Sequence, residues 1–294
     1  MNISELSYVK KNEPMSAHTT FRTGGAAELF AEPESEKQLA ELISAAHDEN
    51  IALTVVGNGS NLLVKDGGIR GLVIHLGRKF AKIRVCENII TAQSGALLSQ
   101  TAAAALEHSL CGLEFAAGIP GTVGGGIYMN AGAYGGSLSD VVVSARAICG
   151  GEIREFSRDE MQLGYRKSIF AQNGAVVTGV TFELAPGSRE EIAAKMRELA
   201  GRRRDKQPLE FASAGSTFKR PEGHFAGALI EAAGLKGLSV GAAQVSEKHA
   251  GFIINRGGAT SADILGLIGE VQRRVFAHSG VMLEPEVRII GEDA

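Results

Sequence analysis

The sequence lacks most of the features that announce a function class. It has three cysteines, Cys86, Cys111 and Cys149, an odd number with no CxxC spacing. That excludes a disulfide framework and a cysteine-based zinc site, and fits reduced thiols in a cytosolic protein. Tryptophan is absent. No apolar run is long enough to span a bilayer. The first fifteen residues are polar and carry Lys10 and Lys11 with no apolar stretch behind them, so they do not form a secretory signal. Charge of one sign is missing too: the formal net charge of -3 argues against a broad nucleic-acid-binding surface. None of the seven histidines sits in a recognisable motif. There is no HExxH, DxDxDG or GxSxG pattern, and no repeat at solenoid periods. The expectation is a cytoplasmic protein with no metal, no membrane partner and no nucleic-acid partner.

What the sequence does have is glycine, 38 residues of it in a chain of 294, long enough for one large unit or several small domains. Strand and helix signals mix along its length, as in an α+β protein. Ser35 with Gln38 reads as a capping box, followed by Leu39, Leu42, Ile43 and Ala46 at helical spacing. Leu53 to Val56 reads as a strand that breaks into Gly57-Asn58-Gly59-Ser60-Asn61. Leu62 to Val64 and Leu72 to Ile74 are further apolar runs, and 96–108 looks helical. Gly112 to Gly136 has little periodicity of either kind but keeps apolar members, Leu113, Phe115, Ile119 and Val123. It reads as an ordered glycine-rich loop. Strands are expected over 141–182. A Ser188/Glu191 capping box starts a helix with a basic end, Arg202 to Arg204 and Lys206, stopped by Pro208. A short helix over 226–233, a longer one from the Thr260/Asp263 box to Gly280, and a strand over 287–290 complete the chain.

Several segments have polar or conformational features that chemistry can use, and each has a plain structural alternative. Successive N–H groups of Gly57 to Asn61 can converge on an anion such as a pyrophosphate, or the segment can be a simple corner. Leu62 occupies the third-glycine position of a dinucleotide-binding GxGxxG, so that pattern is not met. Gly118-Ile119-Pro120-Gly121-Thr122-Val123-Gly124-Gly125-Gly126 is either a second cradle or crowded packing. Asn130, Tyr134 and Ser137 nearby tilt the balance towards ligand contact. Arg166 beside Tyr165 can grip a carboxylate, or be a solvated arginine. Ser216 is by default an ordinary turn serine. The cations at 202–206 suit the end of a helix, where they offset its dipole. Glu286, at the entry to the last strand, can be solvated or paired.

Taken in order, these segments resemble the UDP-N-acetylenolpyruvoylglucosamine reductases. The stretches that carry the resemblance are Asn12 to Gly25, Gly57 to Val64, Gly112 to Gly125, Asn130 to Gly135, Gly164 to Phe170, Ala214 to Lys219 and Leu283 to Gly291. They span nearly the whole chain. Each motif alone is weak, and the ordered set is specific. The resemblance implies a vanillyl-alcohol-oxidase-type FAD-binding fold of two α+β subdomains with a C-terminal α+β substrate-binding domain. It places the FAD-binding part at 1–187, split near 75, a connecting helix at 188–210, the substrate domain at 211–282, and a returning strand at 283–294.

The same resemblance implies non-covalent FAD held by Arg22, Thr23, Gly57, Asn58, Gly59, Ser60, Asn61, Gly118, Pro120, Gly121, Thr122, Gly124, Gly125, Ala131 and Gly132. It implies Ser216 as proton donor, Arg166 and Glu286 as the pair that stabilises the intermediate, and Tyr165, Lys206, Lys219 and Arg220 at the substrate. The reaction implied is NADPH-dependent reduction of a UDP-sugar enolpyruvyl ether by a monomer. The competing readings are another FAD oxidoreductase of this fold, or a non-catalytic UDP-sugar-binding protein. Two departures from the family stand out. The tyrosine-bearing loop of its longer members is missing between Phe182 and Ser188, and Arg220 replaces an asparagine.

Overall fold

The computed structural model describes residues 3–294 as α+β, in two compact units. The first comprises residues up to Lys10, Phe30–Asn58 and Leu72–Arg203; the second comprises Lys11–Leu29, Gly59–Gly71 and Arg204–Ala294.

In the first unit, helix α1 (Glu36–Asp48) starts where the spacing predicts, with the Ser35 hydroxyl accepting the Gln38 N–H, and buries Leu39, Leu42 and Ala46. Strand Leu53–Val56 pairs in parallel with residues 72–75. The larger element is a five-stranded antiparallel sheet in the order Glu152–Ser157, Val142–Cys149, Val176–Glu183, Ile89–Gln93 and Ile83–Cys86. Alternate residues of Val176–Glu183 (Val176, Thr178, Val180 and Phe182) lie buried, and of the three between them Val177 is buried while Gly179 and Thr181 are half-buried. One face of this strand is therefore fully covered and the other only partly. Helix α2 (Leu98–Glu107) lays Leu98, Ala102 and Ala105 on the same core. Full burial of a leucine such as Leu98 contributes about 1.5–3 kcal/mol.

The glycine-rich segment departs from its reading as a loop. It contains a 3-10 turn, Glu114–Gly118, and a helix, α3 (Val123–Met129), then a small hairpin, Gly132–Ala133 with Gly136–Ser137. Three consecutive glycines give poor helix propensity, which hid α3. Tertiary contacts override that cost. Val123 and Ile127 are fully buried at i, i+4 spacing, and the Thr122 hydroxyl caps the helix by accepting the Gly125 N–H. Helix α4 (Arg189–Lys206) begins at the expected Ser188 cap and is stopped by Pro208.

In the second unit, helices α5 (Ala226–Ala232) and α6 (Ser261–Ser279) accompany a three-stranded antiparallel sheet, Ser239–Val240, Ala243–Val245 and Ile253–Asn255. The Thr260/Asp263 box caps α6 reciprocally, and Gly280 closes it at φ 72. The Asp66 carboxylate adds two bonds from outside, accepting the Ser261 and Ala262 N–H groups at 2.9 and 3.0 Å. The last strand, Arg288–Ile290, pairs in parallel with Leu62–Val64.

Candidate active site

In the first unit, the two glycine segments that the sequence offers as cradles lie against one another. Asn58 donates its side-chain amide to the Pro120 carbonyl at 2.6 Å. A Cβ on Gly57 would stand 2.3 Å from the Thr122 hydroxyl oxygen, so no side chain fits there. Two of the other glycines answer to the protein itself. A Cβ on Gly124 would meet Ser94 at 2.7 Å, and one on Gly118 would meet the Arg203 side chain at 2.7 Å. Gly125 is different. It is exposed, and the nearest heavy atom to an added Cβ is the Thr122 hydroxyl at 3.4 Å, an ordinary contact. Arg203, half-buried over Gly118, was not singled out by sequence reasoning. Burial draws its guanidinium down from the usual range, and Tyr134 opposes the shift.

Arg166 sits on a tight two-residue reversal. Gly164 and Lys167 exchange both backbone hydrogen bonds, at 3.0 and 3.2 Å, and Arg166 takes φ 52. Its guanidinium lies 5.4 Å from the centroid of the exposed Tyr165 ring. Two residues fasten this reversal to the glycine-rich segment. Asn130, buried at the end of α3, donates to the Gly164 carbonyl at 3.1 Å and accepts the Ser139 N–H at 2.9 Å. Ser168, fully buried, donates its hydroxyl to the Tyr128 carbonyl at 2.7 Å. Of the three polar residues that the sequence tilts towards ligand contact, Asn130 and Ser137 also hold the chain, Ser137 through bonds with Asp140 at 2.8 and 3.1 Å, and Tyr134 is exposed. Ala131 and Gly132 follow directly, with Ala131 bonding back to Gly126 at 2.8 Å and accepting the Leu138 N–H at 3.0 Å.

In the second unit, Gly59 takes φ 61, and an added Cβ would lie 2.1 Å from the His18 carbonyl oxygen. Its own carbonyl accepts the Thr20 N–H at 3.3 Å, which sets this corner beside the segment that ends in Arg22 and Thr23. Arg22 is exposed at φ 56, and Thr23 is buried with its carbonyl accepting the Thr19 hydroxyl. Ser60, next to Gly59 in the chain, is half-buried.

Ser216 and Glu286, distant in sequence, meet through the backbone. The Glu286 N–H donates to the Thr217 carbonyl at 2.8 Å, and Phe218 bridges Pro285. Asn61 supports the same place, donating its side-chain amide to the Glu286 carbonyl at 3.2 Å and accepting the Arg288 N–H at 3.0 Å. Ser216 itself is exposed, next to Gly215 at φ 76. Thr217 carries the structural duty: it is fully buried, its N–H reaches the Gly251 carbonyl at 2.9 Å, and its hydroxyl accepts the Ile253 N–H at 3.0 Å. Of the other candidates, Lys219 pairs with Glu284 at 3.0 Å, Arg220 stacks 4.0 Å over the Phe225 ring, and Lys206 is exposed at the end of α4.

Comparison with known proteins gives a consistent answer. Residues 27–157 match the family described as FAD binding domain, and residues 207–290 match UDP-N-acetylenolpyruvoylglucosamine reductase, C-terminal domain. The UDP-N-acetylenolpyruvoylglucosamine reductase of Clostridioides difficile (strain 630) is 50% identical over 294 residues, covering 100% of this chain and 97% of that protein. The enzyme of the same name from Clostridium kluyveri is 53% identical over 292 residues, covering 99% and 96%. Among solved structures, UDP-N-acetylenolpyruvylglucosamine reductase from Thermus caldophilus matches with a TM-score of 0.82 at 34% identity, covering 96% of this chain and 97% of that one.

Proposed function

Because the chain belongs to the UDP-N-acetylenolpyruvoylglucosamine reductase family, we propose that Ser216, Glu286 and Arg166 carry out the protonation and charge stabilisation that complete its reaction. The protein is an FAD-dependent oxidoreductase of peptidoglycan precursor synthesis, with NADPH as reductant. The observation that carries the site reading is the backbone bond between Glu286 and Thr217, which sets a glutamate beside an exposed serine.

The glycine segments suit a flavin dinucleotide. The N–H groups of Gly57 and Asn58 meet no acceptor among the described residues, and Gly125 leaves open a position that a Cβ would fill. Unspent backbone donors and missing side chains are what a pyrophosphate needs for close approach. Asn58, Pro120, Gly121, Thr122 and Gly125 would hold it in the first unit, with Gly118 and Gly124 shaping the segment and Ala131 and Gly132 alongside. Gly59, Ser60 and Asn61, with Arg22 and Thr23, would hold it in the second.

FAD, when bound, would supply the redox chemistry: a hydride that originates in NADPH, delivered at C3 of the enolpyruvyl group. Negative charge then builds at C2 and spreads into the substrate carboxylate. Arg166, fixed on its reversal, holds that charge without reorganising. The Ser216 hydroxyl delivers the proton to C2; a serine is a weak acid, but an enolate carbon is a strong base at fixed geometry. Glu286 serves as a hydrogen-bonding carboxyl near C2 or the carboxylate. Tyr165, Lys206, Lys219 and Arg220 receive the nucleotide-sugar, with Lys219 exchanging Glu284 for a phosphate. This arrangement replaces the tyrosine loop of the longer family members: between Phe182 and Arg189 this chain has only the short strand Ala185–Pro186. The enzyme acts as a cytoplasmic monomer on its UDP-sugar and NADPH.

The test separates the two half-reactions of Ser216→Ala by stopped flow. NADPH should bleach the flavin at the native rate, while reoxidation by the enolpyruvyl sugar should slow by about 10²–10⁴-fold, the range for loss of a proton-transfer group. Native reoxidation in the variant removes Ser216 from the chemistry.

A further inference from the structure

Two bonds link a histidine outside the proposed catalytic set to the peptide group that follows Ser216, and a third continues from Thr217 to Glu286. His249 accepts the Gly251 N–H on Nδ1 at 3.1 Å. The Gly251 carbonyl accepts the Thr217 N–H at 2.9 Å. That N–H belongs to the Ser216–Thr217 peptide, and the Thr217 carbonyl, in the next peptide, receives the Glu286 N–H.

The turn around His249 is braced on several sides. The Ser246 hydroxyl accepts the Lys248 and His249 N–H groups at 3.2 and 3.3 Å, and the His249 carbonyl accepts the Phe252 N–H at 3.0 Å. The ring packs edge-on against Phe252 at 5.0 Å. On its other side it meets the first turn of α5, where a Cβ on Gly227 would lie 3.3 Å from its Cε1. A Cβ on Gly251 would lie 3.0 Å from the same atom. Glycines at 227 and 251 therefore make room for this imidazole. A ring wedged this closely, with one nitrogen spent on a backbone N–H, fixes the turn.

We propose that His249 is a positioning residue for the proton-donating step: as the neutral imidazole it orients Gly251, whose carbonyl sets the Ser216–Thr217 peptide and through it both Ser216 and Glu286. The acceptor nitrogen must carry no proton for this, so protonation converts it to a donor facing the Gly251 N–H and breaks the link. Burial keeps the imidazole below the usual histidine range; a hydrogen bond to the His249 backbone opposes the shift, Lys236 and Lys206 add to it, and Glu231 works against it. The net effect favours the neutral form at neutral pH. As the pH falls through the depressed pKa, His249 gains its proton and the alignment of Ser216 is lost.

This inference rests on the reading of Ser216 as proton donor, so the test is built to tell the two apart. His249→Phe keeps the ring and removes the acceptor. His249→Asn restores an acceptor oxygen at similar reach. In His249→Phe, NADPH should reduce the flavin at a rate close to native, while reoxidation by the enolpyruvyl sugar slows about tenfold, the effect of losing one aligned hydrogen bond. His249→Asn should recover most of that loss and should lack the native decline of reoxidation at acid pH. Independently of activity, hydrogen exchange at the Thr217 amide should accelerate about tenfold in His249→Phe and stay near native in His249→Asn. Native exchange at Thr217 in His249→Phe overturns the proposal, and so does equal slowing of both half-reactions. If Ser216→Ala run alongside proves silent, the serine assignment falls, and Thr217 exchange still decides whether His249 holds the peptide. Should His249→Phe not fold, the acid limb and Thr217 exchange of His249→Asn decide the matter alone.

Discussion

Replacing Gly125 by alanine separates the two reasons a glycine is kept. Gly125 lies in the first turn of α3, exposed, with no positive φ, and its added Cβ would approach only the Thr122 hydroxyl, at 3.4 Å. Nothing inside the protein therefore resists the methyl group. Helix propensity favours alanine over glycine by about 0.8–1.0 kcal/mol in a helix interior, and a first-turn position retains roughly half of that. The apoprotein of Gly125→Ala should then be more stable than native by about 0.5 kcal/mol, read from the urea midpoint. If the open position is the face on which the dinucleotide lies, the same methyl must displace it. Intrusion of this kind costs about 1–3 kcal/mol, so FAD affinity, measured by quenching of flavin fluorescence, should fall roughly 5- to 150-fold. Stability and affinity moving in opposite directions is the signature. Unchanged FAD affinity in Gly125→Ala refutes the placement of the cofactor on this segment, and a destabilised apoprotein refutes the claim that the position is sterically open.

Gly57→Ala should behave in the opposite way. Its Cβ collides with the Thr122 hydroxyl at 2.3 Å, so the apoprotein should lose about 2 kcal/mol. Thr122→Ala alone should lose about 1 kcal/mol with its cap, and adding it to Gly57→Ala should remove most of the collision; additive losses in the urea melts of the double variant would mean the two side chains do not meet. Asp66→Ala should cost about 1–2 kcal/mol by uncapping α6. Although burial pushes the Asp66 carboxyl up, the Ser261 and Ala262 N–H groups outweigh it and hold the pKa below its ordinary value. With the folded pKa depressed, this stabilisation is complete above the unfolded pKa and fades as pH falls through the folded one. Native protein should therefore lose stability faster than Asp66→Ala on acidification, and parallel pH curves in thermal melts would contradict the capping role.

The parts of this fold legible in the sequence are those decided locally. The Ser35, Ser188 and Thr260 caps each use an acceptor and an N–H three residues apart, and all three helices begin there. The strand Leu53–Val56 and the stop at Gly280 are local in the same sense. Helix α3 was not legible, because its glycines speak against a helix, and what explains Gly124 and Gly126 is Ser94, Leu98 and Leu138, from other elements. The parallel pairing of Arg288–Ile290 with Leu62–Val64 joins segments whose composition names no partner. Much the same holds at the site. Ser216, Arg166 and Glu286 stood out only through the order of motifs along the chain. Asn130, Ser168 and His249 carry no motif of their own, because what each does depends on a carbonyl or N–H supplied by tertiary contact.

That contrast bears on how the catalytic assignment is to be judged. Neighbouring residues in this chain divide structural and chemical duty. Thr217 has its N–H, carbonyl and hydroxyl all engaged and no exposed surface, whereas Ser216 beside it is exposed. Glu286 is likewise fixed through its main chain, by Thr217 and Asn61. Removing the Ser216 hydroxyl therefore leaves every one of these bonds in place. Loss of reoxidation in Ser216→Ala, with an unchanged melting curve, would be a chemical effect and not a structural one. A serine kept for folding would have produced the reverse, a lower melting temperature with substrate turnover limited only by the amount of folded protein. The backbone anchoring of this pair is what makes that single substitution decisive.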